Sequence, residues 1–439
     1  MTPTRKATPF ANVHLIHCRR VRRRDLSAKG RPPTKGCLPD DCLLFRFAKR
    51  SSIKADSRKD TVYRIYFLLS IVCLLFFYFL FSILLTMILG ITMGDAAGIG
   101  PEIIVGAWRE IVCQTNSRAV VYGHPEILQH AAKLRNINAV ITEIQTVNEL
   151  LLKSDTSDIF SEASFSNVLT IPCIRCGEES VTKVPHGTVD ARAGDAAYQA
   201  IIRAIDDAKA GIIDAVVTTP IHKNALNLAG YHYPGHTEIF AERCGVDDFA
   251  MMLYLGHGEN ICSENGLAVV HVTLHTAMKN IFGMITIESV LAKAKLIDDF
   301  MKRIIGLSKR QPHIGVCSLN PHAGEDGLFG TEEIHIIRPA VQQALAEGLN
   351  IEGPFPADTI MVNARNGDFD AVVAMFHDQG HIALKLLGMH RAVNITLGLP
   401  IIRTSVAHGT AFDKAWQGTA QTGSLLEACR VATKLALSR

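Results

Sequence analysis

From Met87 onward the chain is built of short apolar runs, each closed by polar residues and followed by a longer amphipathic stretch. Ala119-Val120-Val121-Tyr122-Gly123 is such a run, with the helix-like His124–Leu134 behind it. Asp195–Ala210 places Ile201, Ile202 and Ile205 at helical spacing, and Ile213–Thr218 follows as a strand. Leu267–Leu274, Ile314–Leu319 and Ala371–Phe376 repeat the pattern. Short apolar runs bounded by polar residues read as buried strands, and their alternation with helices predicts a mostly parallel sheet covered by helices. At 439 residues, 48% apolar and 20% charged, the chain suits an α/β protein of one large or two ordinary domains.

The first 86 residues obey other rules. Residues 1–64 hold 17 Lys/Arg against 5 Asp/Glu, a charge of +12, and little apolar periodicity, so disorder is expected. Ile65–Thr92 then carries no charge at all. About 20 such residues span a bilayer, so residues 65–86 read as a membrane anchor with its basic flank on the cytoplasmic side. The competing reading starts the protein at Met87, because Met87–Thr92 is also the first core strand and a span would leave it almost no linker. A cytoplasmic catalytic domain over residues 87–439 is expected on that reading. The remainder of the chain holds 28 basic and 37 acidic residues, −9 in all, so charge gives no argument for nucleic acid. Cys173 and Cys176 form a C-x-x-C with no second pair at zinc spacing, which leaves ordinary reduced cysteines as the main expectation.

Polar residues gather where strands end. The turn GDAAGIGPE joins Met87–Thr92 to a helix; its glycines permit a tight backbone, but their spacing is not that of a dinucleotide fingerprint. After Ile213–Thr218 come Thr219, His222 and Lys223, then His236, Thr237 and Glu238. Ligands of open α/β sheets bind outside strand carboxyl ends, so His236 and Thr237 are ligand candidates; the plain alternative for Thr237 is a helix cap. His275, His322 and His377 each follow a different strand. Three histidines at equivalent edges suit one divalent metal, with Asp378 and Glu325 as natural outer partners. Lys385 lies eight residues past His377, where a Lys can polarise a hydroxyl, shuttle its proton or pair with a phosphate. Arg403 offers a planar fork for carboxylate or phosphate, with Asn394 nearby.

These motifs (GDAAGIGPEI, PGHTEIFAE, NPHAGEDGLFG, GPFPADT, MFHDQGH and NITLGLPIIRTSVAHGTAFD) resemble the 4-hydroxythreonine-4-phosphate dehydrogenase family of vitamin B6 synthesis, from about Met87 to the C-terminus. The resemblance implies an isocitrate/isopropylmalate-dehydrogenase-like fold: two α/β subdomains flanking a cleft, in a homodimer that completes each site. It implies a divalent metal (zinc, magnesium or cobalt) on His275, His322 and His377, and substrate contacts at His236, Thr237, Lys385, Asn394 and Arg403. Lys385 and Asp378 become the catalytic candidates. His408, Gly409, Thr410 and Asp413 look like the loop that cradles the adenosine of NAD. Leu228, His381 and the closing AFDKAWQG depart from the B6 enzyme's pattern toward a sister group that oxidises 4-phospho-D-threonate and 4-phospho-D-erythronate. A further relative oxidises aromatic cis-dihydrodiols.

The expected reaction is oxidation of a 4-phosphorylated 3-hydroxy acid to the 3-keto acid by NAD, then loss of carbon dioxide to give dihydroxyacetone phosphate. The B6 enzyme itself is the first alternative. A membrane-anchored binding protein and a zinc hydrolase are the others; the hydrolase lacks H-E-x-x-H. The insertion-like stretch His257–Asn265 has no functional account from sequence.

Overall fold

The computed structural model describes residues 87–115, 117–152, 168–306 and 309–438, all inside the unit Leu75–Arg439. The basic segment and the apolar run of residues 65–86 lie outside the described residues. Among those described, no helix is long and apolar enough to cross a membrane.

One twelve-stranded sheet crosses the molecule. In spatial order it runs β3 (Ala139–Ile144), β4 (Leu169–Arg175), β2 (Arg118–Gly123), β1 (Ile88–Thr92), β5 (Ala215–Thr218), β12 (Ile402–Val406), β11 (Val393–Leu397), β6 (Ala250–Leu255), β7 (Leu267–His271), β10 (Ala371–Ala374), β8 (Ile314–Cys317) and β9 (Ile351–Phe355). The two outer groups are parallel within themselves, as the sequence predicts. Three successive antiparallel pairings, β12 with β11, β11 with β6 and β6 with β7, reverse strand direction in the middle. The carboxyl ends of β7, β10 and β8 therefore point opposite to those of β1, β2, β4 and β5.

Side-chain alternation makes the two faces unequal. One face carries a continuous core under both halves, from Leu89, Ile91 and Val121 through Val217, Ile402, Ile395 and Met252 to Val270 and Val373. The helices Gly100–Thr115, Ile287–Ile305 and Gly423–Leu437 cover it. The other face holds two separate cores. Val120, Tyr122 and Val216 pack under the helices Ala191–Lys209 and His236–Cys244, while Leu253, Val269 and Val372 pack under Ala357–Asn366 and His377–Gly388. Between them the face turns polar: Thr218, Arg403, Ser405, Asn394 and Thr396. This is the expected pair of α/β subdomains flanking a cleft, but both halves share one sheet, and the cleft is a split in one of its faces.

Several expected strands are shorter than the apolar runs. β7 stops at His271, β8 at Cys317 and β10 at Ala374, so His275, His322 and His377 stand in the segments beyond. The free thiols of Cys173 and Cys176 are buried in different cores, on opposite faces.

The turn after β1 is fixed by glycine and by Glu102. Gly94 has φ +71°, and a side chain there would place its Cβ 2.3 Å from the Pro220 carbonyl. Glu102, fully buried at the start of its helix, accepts the backbone N–H groups of Trp416 and, at 2.7 Å, of Gly418. The carboxylate suits the helix N-terminus and ties the last loop of the chain to the first.

Candidate active site

The floor of the cleft is Arg403. It is 2% exposed. Nη1 donates to Thr396 Oγ1 and Nη2 to Thr218 Oγ1, both at 2.9 Å, while Nε has no partner. Phe240 lies below the guanidinium, 5.5 Å from ring centre to Cζ. No carboxylate pairs with it among the described residues. Burial lowers its pKa to about 10, and Glu238 pulls the other way. Asn394, on the adjacent strand, makes a 3.5 Å contact from Nδ2 to Met251 Sδ and keeps its Oδ1 buried and unpaired.

His236 opens the helix His236–Cys244, and the cap position is Gly235. Thr237 is inside the helix, so the capping alternative for Thr237 is not what the structure shows. The His236 Nε2 is buried without a partner. Burial first, and the Arg403 charge second, hold the imidazole well below its usual pKa, so it is neutral. Buried polar groups nearly always have partners; Arg403, Asn394 and His236 together leave three atoms waiting for a polar ligand.

Across the cleft, β7, β10 and β8 lie side by side and parallel, so the segments after them leave one edge. The rings of His275 and His377 come within 5.9 Å, centroid to centroid. Leu274, Met278, Phe376 and Asp378 complete a cavity of about 370 Å³ around them. His377 Nδ1 is 2.7 Å from Asp378 Oδ1, which fixes the proton on Nδ1 and leaves Nε2 as the free lone pair. Burial, then Lys223 and His377, lower the pKa of His275, and Glu238 raises it. Lys223 and Glu238 thus reach this pair from the first half of the fold. His322 is elsewhere. It sits in the turn Pro321–Gly327, where His322, Ala323, Glu325 and Asp326 all have positive φ, a strained path for residues with side chains. Its Nδ1 faces Glu325 Oε1 at 2.8 Å. Among the described residues no group of three His, Cys, Asp or Glu side chains is arranged to hold a metal ion. The donor chemistry still fits a divalent ion: imidazoles, of which His322 and His377 each lie against a carboxylate of their own.

Lys385 is two turns along the His377 helix and is half-buried. Between them, at His381, sequence reasoning missed a site residue, and it missed His271 beneath. His381 is stacked on His377 at 3.8 Å between ring centroids. Its Nδ1 is 3.2 Å from His271 Nε2. The available signal was spacing: His377, His381 and Lys385 are i, i+4 and i+8 on one helix face.

The loop expected to hold adenosine packs on the turn after β1. The Thr410 carbonyl accepts the Ile99 N–H at 3.1 Å. His408, Ile99, Ala411, Lys414 and Gln417 line a cavity of about 440 Å³, within the usual range for a small-molecule site. Gly409 and Asp413 are exposed beside it. These residues fit an adenosine-sized group. Phe412 stacks on His222 at 4.8 Å, joining this loop to the one after β5.

Asp95 lies in the same turn. Its Oδ1 accepts the Ala97 N–H at 2.9 Å, and its Oδ2 is buried and unpaired. Burial raises its pKa from 3.8 to about 6. The folded state then holds a proton that the unfolded state has lost, so stability falls as pH rises from about 4 to 6 and stays lower above. Asp95→Asn keeps the acceptor and removes the charge. We expect it to gain about 3 kcal/mol at pH 7.5 and nothing at pH 3.5, read from denaturant midpoints at both values. An equal gain at both would refute a titrating Asp95.

Comparison with known proteins gives the chain its family. The family model described as pyridoxal phosphate biosynthetic protein PdxA matches residues 115–432. A D-threonate 4-phosphate dehydrogenase of Pectobacterium atrosepticum is 41% identical over 349 residues, 80% of this chain and 99% of that protein. A 4-hydroxythreonine-4-phosphate dehydrogenase of Beijerinckia indica is 42% identical over 347 residues, 79% of this chain and 94% of that one. The crystal structure of the 4-hydroxythreonine-4-phosphate dehydrogenase of Klebsiella pneumoniae is similar with a TM-score of 0.65 at 38% identity, covering 80% of this chain and 100% of its own. The chain belongs to the family of pyridoxal phosphate biosynthetic protein PdxA and is a dehydrogenase, an oxidoreductase acting on a CH–OH group.

Proposed function

We propose that this dehydrogenase oxidises a 4-phosphorylated four-carbon 3-hydroxy acid of the D-threonate 4-phosphate class, with NAD and a divalent metal, and that the 3-keto product loses carbon dioxide. The observation that carries the proposal is Arg403, a buried guanidinium with no ion-pair partner and an unpaired Nε among the described residues. Such a group is a place for an anion. Arg403 and Asn394 orient the phosphate or carboxylate, and His236 with Thr237 closes over it. His275 and His377 are the metal ligands in this half of the site, with His322 as the third. A bound metal supplies Lewis acidity to the substrate oxygens. Lys385 takes the hydroxyl proton, Asp378 holds His377 in its tautomer, and the His408–Asp413 loop holds NAD for the departing hydride.

The second reading, the amino-bearing substrate of vitamin B6 synthesis, rests on relatives of equal identity. The discriminating measurement is NADH formation by the purified protein with 4-phospho-D-threonate, 4-phospho-D-erythronate and 4-hydroxythreonine 4-phosphate, each with and without chelator. We expect turnover of a phospho-sugar acid, lost with chelator. Preference for the amino-bearing substrate would transfer the chain to the second reading. No turnover of any of the three would end both.

A homodimer belongs to the same proposal, with residues 87–439 as the catalytic domain in the cytoplasm. Exposed apolar side chains stand in the same segments as the proposed metal ligands: Met278 and Phe282 on the helix after His275, Leu328 and Phe329 beyond His322, and Ile382 and Leu386 on the His377 helix. Exposed apolar surface marks interfaces, and a second copy would cover these side chains. Sedimentation equilibrium should give twice the chain mass, and Leu386→Glu should shift it toward one. A wild-type monomer would refute the shared site.

A further inference from the structure

We infer that His271 and His381 form a buried positioning pair that sets the ring of His377, a role that rests on the metal reading above. Three contacts fix the pair. His271 Nδ1 faces the Met251 carbonyl at 3.5 Å, so that nitrogen carries the proton. His271 Nε2 is then an acceptor, and His381 Nδ1, 3.2 Å away, donates to it. His381 in turn lies flat on His377, 3.8 Å between centroids and 10° between planes. The hydrogen bonds run from a backbone carbonyl on β6 through His271 to His381, whose ring then lies against the proposed metal ligand.

The backbone is shaped to admit this pair. Gly380 lies over His271, and a Cβ at that position would fall 2.4 Å from His271 Nε2. Any side chain there would push the His377 helix off β7. His271 is 1% exposed and His381 5%. Two buried imidazoles bring little packing that Leu would not, so their use lies in direction rather than burial. Asp378 already sets the His377 tautomer through Nδ1; the stack sets the plane of the ring, which Asp378 alone does not.

The test reads metal rather than turnover. Cobalt(II) is titrated into the full-length protein, following its visible ligand-field bands and its dissociation constant by chelator competition. His381→Leu should weaken cobalt binding about 10- to 100-fold, the usual loss when an outer-shell partner is removed, with altered band intensities. His381→Phe keeps a flat ring against His377 and should recover part of the affinity. His271→Leu should weaken binding as His381→Leu does, and the double variant no further, because the two act through one chain. If His381→Leu fails to fold, His381→Gln, which keeps the donor to His271 but takes the ring off His377, carries the same comparison with His381→Phe. A folded His381→Leu or His381→Gln with wild-type affinity and spectrum overturns the inference alone. A wild-type protein that binds no cobalt overturns the metal reading and this inference with it.

Discussion

His377→Ala should remove metal binding and dehydrogenase activity together. His377 stands at three contacts: Asp378 at Nδ1, His381 on its face and His275 at 5.9 Å. Losing an outer partner of a metal ligand costs about 10- to 100-fold. Losing the ligand itself should exceed that, so kcat/KM should fall by more than about 100-fold. The side chain is only half-buried at the start of its helix, so the unfolding midpoint of the metal-free protein should hardly move. Metal content, NADH formation and thermal unfolding, measured on one preparation, decide the matter. A stable variant that keeps its activity without metal would exclude the mechanism.

Arg403→Met should separate activity from stability. A hydrogen bond to a charged group contributes about 1.5–3 kcal/mol, so loss of the anion contact should lower kcat/KM about 10- to 150-fold, mostly through KM. The fold should not suffer in proportion. Arg403 is a desolvated cation whose hydrogen-bond partners among the described residues are the hydroxyls of Thr218 and Thr396. Removing a buried charge offsets the two hydroxyls left unpaired, since replacing buried ions by apolar residues of similar volume is often neutral or better. The midpoint should stay within about 1 kcal/mol of wild type. A collapse of stability with unchanged KM would make Arg403 a structural residue and leave the anion without a site.

Much of the fold was legible because buried parallel strands are written as uninterrupted apolar runs. Ala119–Gly123 falls within β2 and Ala371–Ala374 is β10 for that reason. What the runs do not encode is direction. β6, β11 and β12 carry the reversal, and nothing in Ala250–Leu255 distinguishes an antiparallel partner from a parallel one. The site divided in the same way. His275 and His377 meet where strand ends predict, whereas His322 is held by a left-handed turn that no propensity would suggest. Arg403 was expected as a polar residue near a strand end. It lies within one, and the alternation of Ile402, Thr404 and Val406 against Arg403 and Ser405 carried that information. His271 was hidden because a histidine inside an apolar run reads as part of the core.

The unequal faces of the sheet also govern how the molecule comes apart. One core runs without a break beneath both halves, so neither half keeps a complete hydrophobic layer when the other melts. Heat or denaturant should therefore disorder the described unit in one cooperative step, and a cut between β5 and β6 should not yield two autonomous pieces.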